Sequence, residues 1–291
     1  MSSLTAHLHN IRELLPTNSE LHCTLLNEGF SNQVYLLSWD DAGQLVLRIS
    51  DIDTEVFYIN RKEEMRILTC ASNSKLSPNL VWSDELGNFA CEFLPQPTLS
   101  WEVCHQESAL QRLAGMLRSI HQLPKGHHEY LVLSVIRHYL DQVSAKLNGN
   151  VNLQQEYNYL LSCFKLLKQP KKLLPYVLCH NDLNPKNVLM DDEELQVIDW
   201  EYAGVGDPLY DLSVIAKSHN LNERQIEAFV HFYSPHLNAE EVMEVIAMYS
   251  RCYSLREMVW MLLKHIVTPE DTDNLQEYYR FKSSSNLNPF H

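Results

Sequence analysis

The feature that most constrains the fold of this 291-residue chain is a change of hydrophobic pattern near residue 95. Before it, the apolar runs 34–39 and 44–49 flank the turn-forming sequence DDAG, which predicts a β-hairpin. A helical pattern over 60–72 and a second hairpin over 80–94 follow. The first part of the chain therefore predicts the order strand, strand, helix, strand, strand.

After the proline-containing connector 95–100, the pattern becomes helical. Leucines at 110, 113 and 117 and Ile120 recur at intervals of three and four residues, which predicts a helix with one buried face. Two short strands are predicted on either side of the acidic turn DDEE at 191–194, and the rest of the chain is mainly helical. We find no internal repeat and no long linker, so a small β-rich lobe on a larger α-rich lobe is predicted.

Composition excludes several classes of function. The formal net charge is −14 and no block of Lys and Arg is present, which argues against nucleic acid as a partner. The seven cysteines form no CxxC pair, the N-terminal sequence lacks a signal-peptide pattern, and no apolar run approaches 18 residues. We therefore expect a cytoplasmic protein with reduced thiols and no membrane partner.

The sequence CHNDLNPKN at 179–187 contains the pattern H-x-D-x4-N, formed by His180, Asp182 and Asn187. Asp199 follows at the end of a predicted strand. This arrangement is typical of phosphoryl transfer, in which the loop Asp orients or deprotonates a hydroxyl while the Asn and the later Asp bind Mg²⁺. Hard oxygen ligands suit that ion. The alternative is an ordinary turn, because Asn, Asp and Pro are common turn residues, with an incidental aspartate downstream.

A second pair of charged residues lies in the β-rich part. Arg48 is on the second predicted strand and Glu64 is on the helix that follows, the positions at which a kinase-like lobe holds nucleotide phosphates. Arg stands where Lys is usual, which keeps the charge but adds a planar fork. An ordinary surface ion pair is the alternative. The phosphate-covering loop has only Gly29 and lacks a GxGxxG pattern.

Six strings extend the pattern in one order over about residues 27–216: GFSNQVY, LVLRIS, NRKEE, LAGMLRSIHQLP, LCHNDLNPKNVLM and VIDWEYAGVGDPLYDLSVIA. On these strings the sequence resembles the choline kinase and aminoglycoside phosphotransferase superfamily, most closely its bacterial choline kinase and thiamine kinase branches. The resemblance implies an α+β, protein-kinase-like bilobal fold. Its N-lobe (1–95) is small and β-rich with one helix, and its C-lobe (96–291) is larger and mainly helical.

The resemblance also implies roles for individual residues. Asp182 would be the catalytic base, and Asn187 and Asp199 would bind Mg²⁺. The residues expected to contact ATP or to support that contact are Gly29, Ser31, Asn32, Arg48, Glu64, Glu92, Phe93 and Leu94. His180 and Asp211 are expected to brace the catalytic loop.

The acceptor pocket is less well specified by the sequence. Glu201 is a candidate acid facing a cationic substrate, and Tyr253 and Trp260 are candidate aromatic contacts for an ammonium group. Trp260 also lies at helical spacing among apolar residues, so a place in the core is the alternative. Asp207, which precedes Pro208, is expected to cap a helix. The stretch SVIAKSHN lacks the glutamate that choline kinases tend to have there.

Together these features predict an ATP- and Mg²⁺-dependent kinase that phosphorylates the hydroxyl of a cationic amino-alcohol such as choline or ethanolamine. Thiamine and aminoglycosides are the alternative substrates. The non-enzymatic alternative, a nucleotide-binding pseudokinase, requires a missing catalytic residue, and Asp182, Asn187 and Asp199 are all present.

Overall fold

The computed structural model describes residues 4–17, 19–26, 32–40 and 43–291. The N-terminal part is a five-stranded antiparallel sheet in the order β1-β2-β3-β5-β4. Its strands are β1 (His22–Leu26), β2 (Asn32–Trp39), β3 (Gly43–Ser50), β4 (Leu80–Ser83) and β5 (Phe89–Glu92). Both predicted hairpins are confirmed, whereas β1 and a short helix α1 (Leu4–Asn10) were not predicted.

Helix α2 (Arg61–Asn73) is the predicted helix of this lobe. It begins at Asn60, whose side chain accepts a hydrogen bond from the Glu63 N–H and so satisfies one donor of the first turn. Ile67, Leu68 and Ala71 are buried on this helix.

The remaining two-thirds of the chain is mainly helical. Helix α8 packs against α4, α6 and α9 and runs through the centre of this lobe. The helices are α3 (Glu107–His121), α4 (Val132–Lys146), α5 (Val151–Leu166), α6 (Pro208–Ser218), α7 (Glu223–Tyr233), α8 (Ala239–Val267) and α9 (Asp273–Ser283). The stripe predicted on α3 is buried at all four positions. The prediction of an α+β chain with a small β-rich lobe and a larger helical lobe is confirmed.

Two small two-stranded antiparallel sheets flank the sequence 179–187. Strand β6 (Val177–Cys179) pairs with β9 (Gly204–Gly206), and β7 (Val188–Met190) pairs with β8 (Leu195–Val197), so the predicted strands around DDEE are present. The interlobe connector joins this region, because the Leu99 N–H donates to the Val188 carbonyl.

The apolar cores do not follow the proposed division at residue 95. A small cluster under the sheet contains Leu37, Leu47 and Ala90. The large cluster contains the helices of the C-lobe together with α2 and the segment 52–59 that precedes it. The division into 1–95 and 96–291 stays a prediction about chain order, while packing joins α2 to the helical lobe.

The seven cysteines are all free thiols. Among the residues that the structure describes, no helix is both long enough and apolar enough to cross a membrane.

Candidate active site

The catalytic loop follows β6 and is fixed by a buried aspartate. Asp211 on α6 accepts the main-chain N–H of Asn181 at 2.6 Å through one oxygen and that of His180 at 2.8 Å through the other. The imidazole of His180 lies 3.1 Å from the Ile198 carbonyl, which ties the loop to the strand before Asp199. The bracing roles predicted for His180 and Asp211 are therefore confirmed by their hydrogen bonds.

The loop turns sharply before Asp182. Asn181 has φ +67°, a left-handed conformation that Asn adopts more readily than most residues. Its side-chain amide donates to the Tyr202 carbonyl at 2.9 Å and stabilises the turn. The sequence NDLNP is thus a turn that also holds the Asp182 carboxylate in place.

Both oxygens of the Asp182 carboxylate have a donor. Asn187 Nδ2 lies 3.1 Å from Oδ2 and also donates to the Asp182 carbonyl at 2.8 Å. Arg256 Nη1 lies 3.2 Å from Oδ1. Because each carboxylate oxygen has two acceptor positions, the group is held in orientation and can still accept a further proton or hydrogen bond.

Asp199 lies next to this loop through the backbone. The Ile198 N–H donates to the Asn187 carbonyl at 3.0 Å, and Asp199 itself has φ +66°. Burial raises the pKa of Asp199 well above its ordinary value, and the Glu201 carboxylate raises it further. Asp199 Oδ1 accepts no hydrogen bond, although Arg48 Nη1 is 3.8 Å away.

These observations fit a divalent cation. Asn187 uses its amide nitrogen on Asp182, which leaves its amide oxygen as the ligand atom, and Asp199 has a buried oxygen without a donor. Burial and the neighbouring Glu201 carboxylate raise the pKa of Asp199, and a bound cation would stabilise its charged form. Oxygen ligands of this kind suit Mg²⁺.

Arg48 and Glu64 form a buried ion pair across the small lobe. Arg48 Nη1 is 2.5 Å from Glu64 Oε1, and both side chains are almost completely buried. Arg48 also donates to the Gly87 carbonyl at 2.8 Å and lies over the Phe89 ring. The surface-pair alternative is therefore wrong, and Arg48 is fixed with its guanidinium toward Asp199.

A second arginine joins the lobes. Arg61 Nη1 contacts Glu64 at 2.6 Å and Glu201 at 3.3 Å, and its Nη2 donates to the Asn32 side chain at 3.3 Å. Asn32 in turn donates to Glu201 at 3.0 Å. Glu201 is buried at this lobe junction, with Arg61 and Asn32 as its partners.

The remaining residues expected at the nucleotide are Gly29, Ser31, Glu92, Phe93 and Leu94. Gly29 and Ser31 lie outside the described residues. Glu92 ends β5, its N–H donating to the Asn79 carbonyl, and Phe93 follows with its N–H 3.5 Å from the Gln44 carbonyl. Leu94, half-buried, comes directly before the connector between the lobes.

The two aromatic candidates for the acceptor pocket, Tyr253 and Trp260, lie in different surroundings. Tyr253 is buried where α8 packs against α6, beside Ser218. Trp260 is only partly buried, and its indole N–H donates to the Tyr202 hydroxyl at 2.8 Å. The Trp260 ring lies 5.7 Å from that of Phe57.

Sequence reasoning missed the charged pair that lies beside Asp182. Arg256 and Glu257 on α8 are adjacent, and Arg256 Nη1 lies 2.5 Å from Glu257 Oε1 as well as near Asp182. The Tyr130 hydroxyl, also missed, accepts from Arg256 Nε at 3.1 Å. The available signal was the charged pair RE inside the otherwise apolar stretch CYSLREMVWMLL.

Comparison with known proteins decides the family. The model of the phosphotransferase enzyme family matches residues 22–246, more than half of the chain. The chain belongs to this family. It is a phosphotransferase that acts on the hydroxyl of a small molecule, and the resemblance found in the sequence is confirmed.

Individual relatives agree with this assignment. Protein LicA of Haemophilus influenzae is 26% identical over 192 residues, which are 62% of this chain and 68% of that protein. The solved choline kinase LicA of Streptococcus pneumoniae has a TM-score of 0.75 at 23% identity and covers 97% of this chain and 98% of its own. A structure of LicA in complex with AMP has a TM-score of 0.73 at 23% identity, with 97% of each chain covered. The predicted kinase-like fold is confirmed.

Proposed function

We propose that this phosphotransferase transfers the γ-phosphoryl group of ATP, with Mg²⁺, to the hydroxyl of a small cationic amino-alcohol. The observation that carries the proposal is the orientation of Asp182. Its carboxylate is held between Asn187 and Arg256, and Asp199 and Arg48 form a second charged pair nearby. A base beside oxygen ligands for Mg²⁺ and a cation for the phosphates is the arrangement that phosphoryl transfer to an alcohol requires.

On the nucleotide side, Arg48 is the phosphate contact and Glu64 braces it. Asn32, together with Gly29 and Ser31, covers the phosphates, and Glu92, Phe93 and Leu94 form the adenine hinge through backbone groups. The buried Arg48–Glu64 pair supports this assignment, because a guanidinium fixed in advance loses little entropy on contacting an anion. The LicA complex with AMP supports a nucleotide in the cleft.

Asn187 and Asp199 would hold the Mg²⁺. When bound, the ion would supply positive charge to offset the negative charge that develops on the nucleotide phosphates. Residues of the protein itself carry out the remaining steps. Asp182 accepts a hydrogen bond from the acceptor hydroxyl and orients it for in-line attack on the γ-phosphorus.

The new bond joins the acceptor oxygen to the γ-phosphorus, and the bond from that phosphorus to the β–γ bridging oxygen breaks, which releases ADP. Asp182 takes the hydroxyl proton and passes it to solvent. Asn187 and Arg256 keep the carboxylate in place throughout, so most of the catalysis is positioning and charge stabilisation.

The charge of the acceptor side supports a cationic acceptor. Asp182 and Glu257 share the single guanidinium of Arg256, so the group of three carries net negative charge in a mostly buried place. A buried unpaired charge is costly, and a cationic acceptor would compensate it. The choline kinase among the solved structures supports the same class of acceptor.

The proposal is tested with Asp182→Asn. The variant keeps size and polarity but loses the base, so kcat should fall by about 10²–10⁴-fold, the usual contribution of a general base. Mg²⁺-dependent ADP release would be measured with choline, ethanolamine, thiamine and an aminoglycoside, alongside ATP binding by calorimetry.

Binding of ATP should persist in the variant. The control is Asp192→Asn in the exposed turn between β7 and β8, which should behave as wild type. Unchanged turnover by Asp182→Asn would remove Asp182 from the role of base.

A further inference from the structure

On the side of Asp182 proposed for the acceptor lies a cationic side chain of the protein, Arg256. Arg256 is buried, and its Nη1 atom contacts both Asp182 Oδ1 and Glu257 Oε1. One guanidinium nitrogen therefore contacts both carboxylates, at 3.2 Å from Asp182 Oδ1 and 2.5 Å from Glu257 Oε1. Glu257 is thus the second carboxylate beside an alcohol bound at Asp182.

The second oxygen of Glu257 is the unused acceptor in this group. Arg256 contacts Oε1, and among the described residues no hydrogen bond to Oε2 is present. The side chain is mostly buried but keeps some access to solvent. A partly accessible carboxylate oxygen beside the base is a suitable partner for an N–H donor of the acceptor.

An aromatic face beside this group is already covered by Arg256. The Arg256 guanidinium carbon lies 4.4 Å from the centroid of the Tyr202 ring, the distance of a cation–π contact. The Tyr202 hydroxyl accepts a hydrogen bond from the Trp260 indole N–H, and the Trp260 ring packs against Phe57. A trimethylammonium group, which has no N–H and binds through aromatic faces, would have to compete with Arg256 for Tyr202.

We propose that Glu257 is the ammonium-binding residue of the acceptor pocket and that Arg256, by covering Tyr202, makes the enzyme select primary ammonium alcohols over quaternary ones. The proposal rests on the proposed function, since it assumes an amino-alcohol acceptor. A primary ammonium donates to Glu257 through hydrogen bonds, and each N-methyl group removes one of those donors. The value of kcat/KM should therefore fall stepwise as N-methyl groups are added to the acceptor.

The test is a methylation series on the full-length enzyme. kcat/KM would be measured for ethanolamine, its N-methyl and N,N-dimethyl derivatives, and choline, at saturating ATP and Mg²⁺. We expect wild type to prefer ethanolamine to choline by about 10–100-fold, the value of a charge-assisted hydrogen bond. Glu257→Gln should raise KM for ethanolamine by a similar factor, leave KM for ATP unchanged and erase the preference.

Variants of Arg256 test the second part of the proposal, that Arg256 covers Tyr202. Arg256→Met removes the cation from Tyr202, so the ratio of choline to ethanolamine turnover should rise even though kcat falls for every acceptor when Asp182 loses a partner. Arg256→Lys keeps a cation and should restore the wild-type preference. Glu244→Gln, an exposed position on the same helix, is the matched control and should change neither ratio.

Choline used as well as ethanolamine by wild type would overturn the proposal, as would a preference that survives Glu257→Gln. The wild-type series tests the selectivity even where a variant does not fold. Wild type that binds ATP and phosphorylates none of the four alcohols would instead refute the amino-alcohol assignment itself, and the two failures are thereby distinguished.

Discussion

At the scale of single residues, the buried histidine pair His105 and His219 contacts the loop that carries Asp182 through the Leu183 carbonyl. His219 Nε2 lies 3.0 Å from the Leu183 carbonyl, and its Nδ1 lies 2.8 Å from His105 Nε2. A carbonyl only accepts, so His219 carries its proton on Nε2 and accepts at Nδ1 from His105. Burial lowers the pKa of His219 to about 3, and the neighbouring His105 contributes to the lowering.

This pair makes stability depend on pH. The folded pKa of His219 lies below its ordinary value of 6.5, so the unfolded chain binds more protons, and stability is lost as the pH falls below about 6.5 toward 3. Between pH 7 and 5.5 we expect His219 alone to cost about 1 kcal/mol of the free energy of unfolding. Urea denaturation of wild type and His219→Gln at both pH values measures the difference.

The variant should lose less stability than wild type over this interval, because Gln does not titrate. His231→Gln, at an exposed position on α7, is the control and should keep the wild-type dependence. An identical loss in wild type and His219→Gln would show that this pair does not carry the effect.

At the scale of elements, the N-terminal half of α6 positions the catalytic loop. Asp207 caps the helix by accepting the Leu209 N–H at 3.0 Å, as predicted from Asp before Pro. One turn later Asp211 accepts two loop N–H groups, and His121 Nε2 lies 3.0 Å from it. The helix thus fixes the loop through one carboxylate that is fully buried.

Asp211→Asn should therefore damage both stability and catalysis. The amide would present a donor where two backbone donors and His121 converge, which leaves buried groups unsatisfied at a cost of about 1–3 kcal/mol. We expect kcat to fall while KM for ATP changes little, since the loop and not the nucleotide lobe is displaced. Steady-state kinetics and urea denaturation measure the two effects, and a stable variant with wild-type kcat would contradict the anchoring role.

The elements also show what the sequence could and could not predict. Local signals were sufficient for the two hairpins, for α2 and for the H-x-D-x4-N loop, because each depends on neighbours in sequence. They were insufficient for Arg256, since α8 is apolar on most sides and only tertiary packing decides which face meets Asp182. The same limit applies to Glu201, whose partners Arg61 and Asn32 come from the other lobe.

At the scale of the whole molecule, the helical part of the small lobe belongs to the core of the large lobe, while the sheet has a small apolar cluster of its own. The segment before α2 inserts Phe57 against Tyr139 and Trp260 of the helical lobe, and the Tyr139 hydroxyl donates to the Phe57 carbonyl at 2.9 Å. Phe57 is fully buried, and Lys264 lies over its ring. The helix that carries Glu64 is therefore packed as part of the lobe that carries Asp182, which fixes the position of the Arg48–Glu64 pair relative to Asp182.

The packing of α2 and of the segment 52–59 into the helical core predicts that the chain unfolds as one unit, even though its lobes are formed from successive parts of the sequence. Tryptophan fluorescence and far-UV circular dichroism should give coincident urea transitions, the usual sign of two-state unfolding. Phe57→Ala should shift both together, by about 3–5 kcal/mol, because it opens a cavity between the lobes. Leu25→Ala, at an exposed position on β1, is the control and should shift neither. Two separate transitions, or a Phe57→Ala effect confined to one probe, would mean that the lobes fold independently and that α2 owes its position to the sheet.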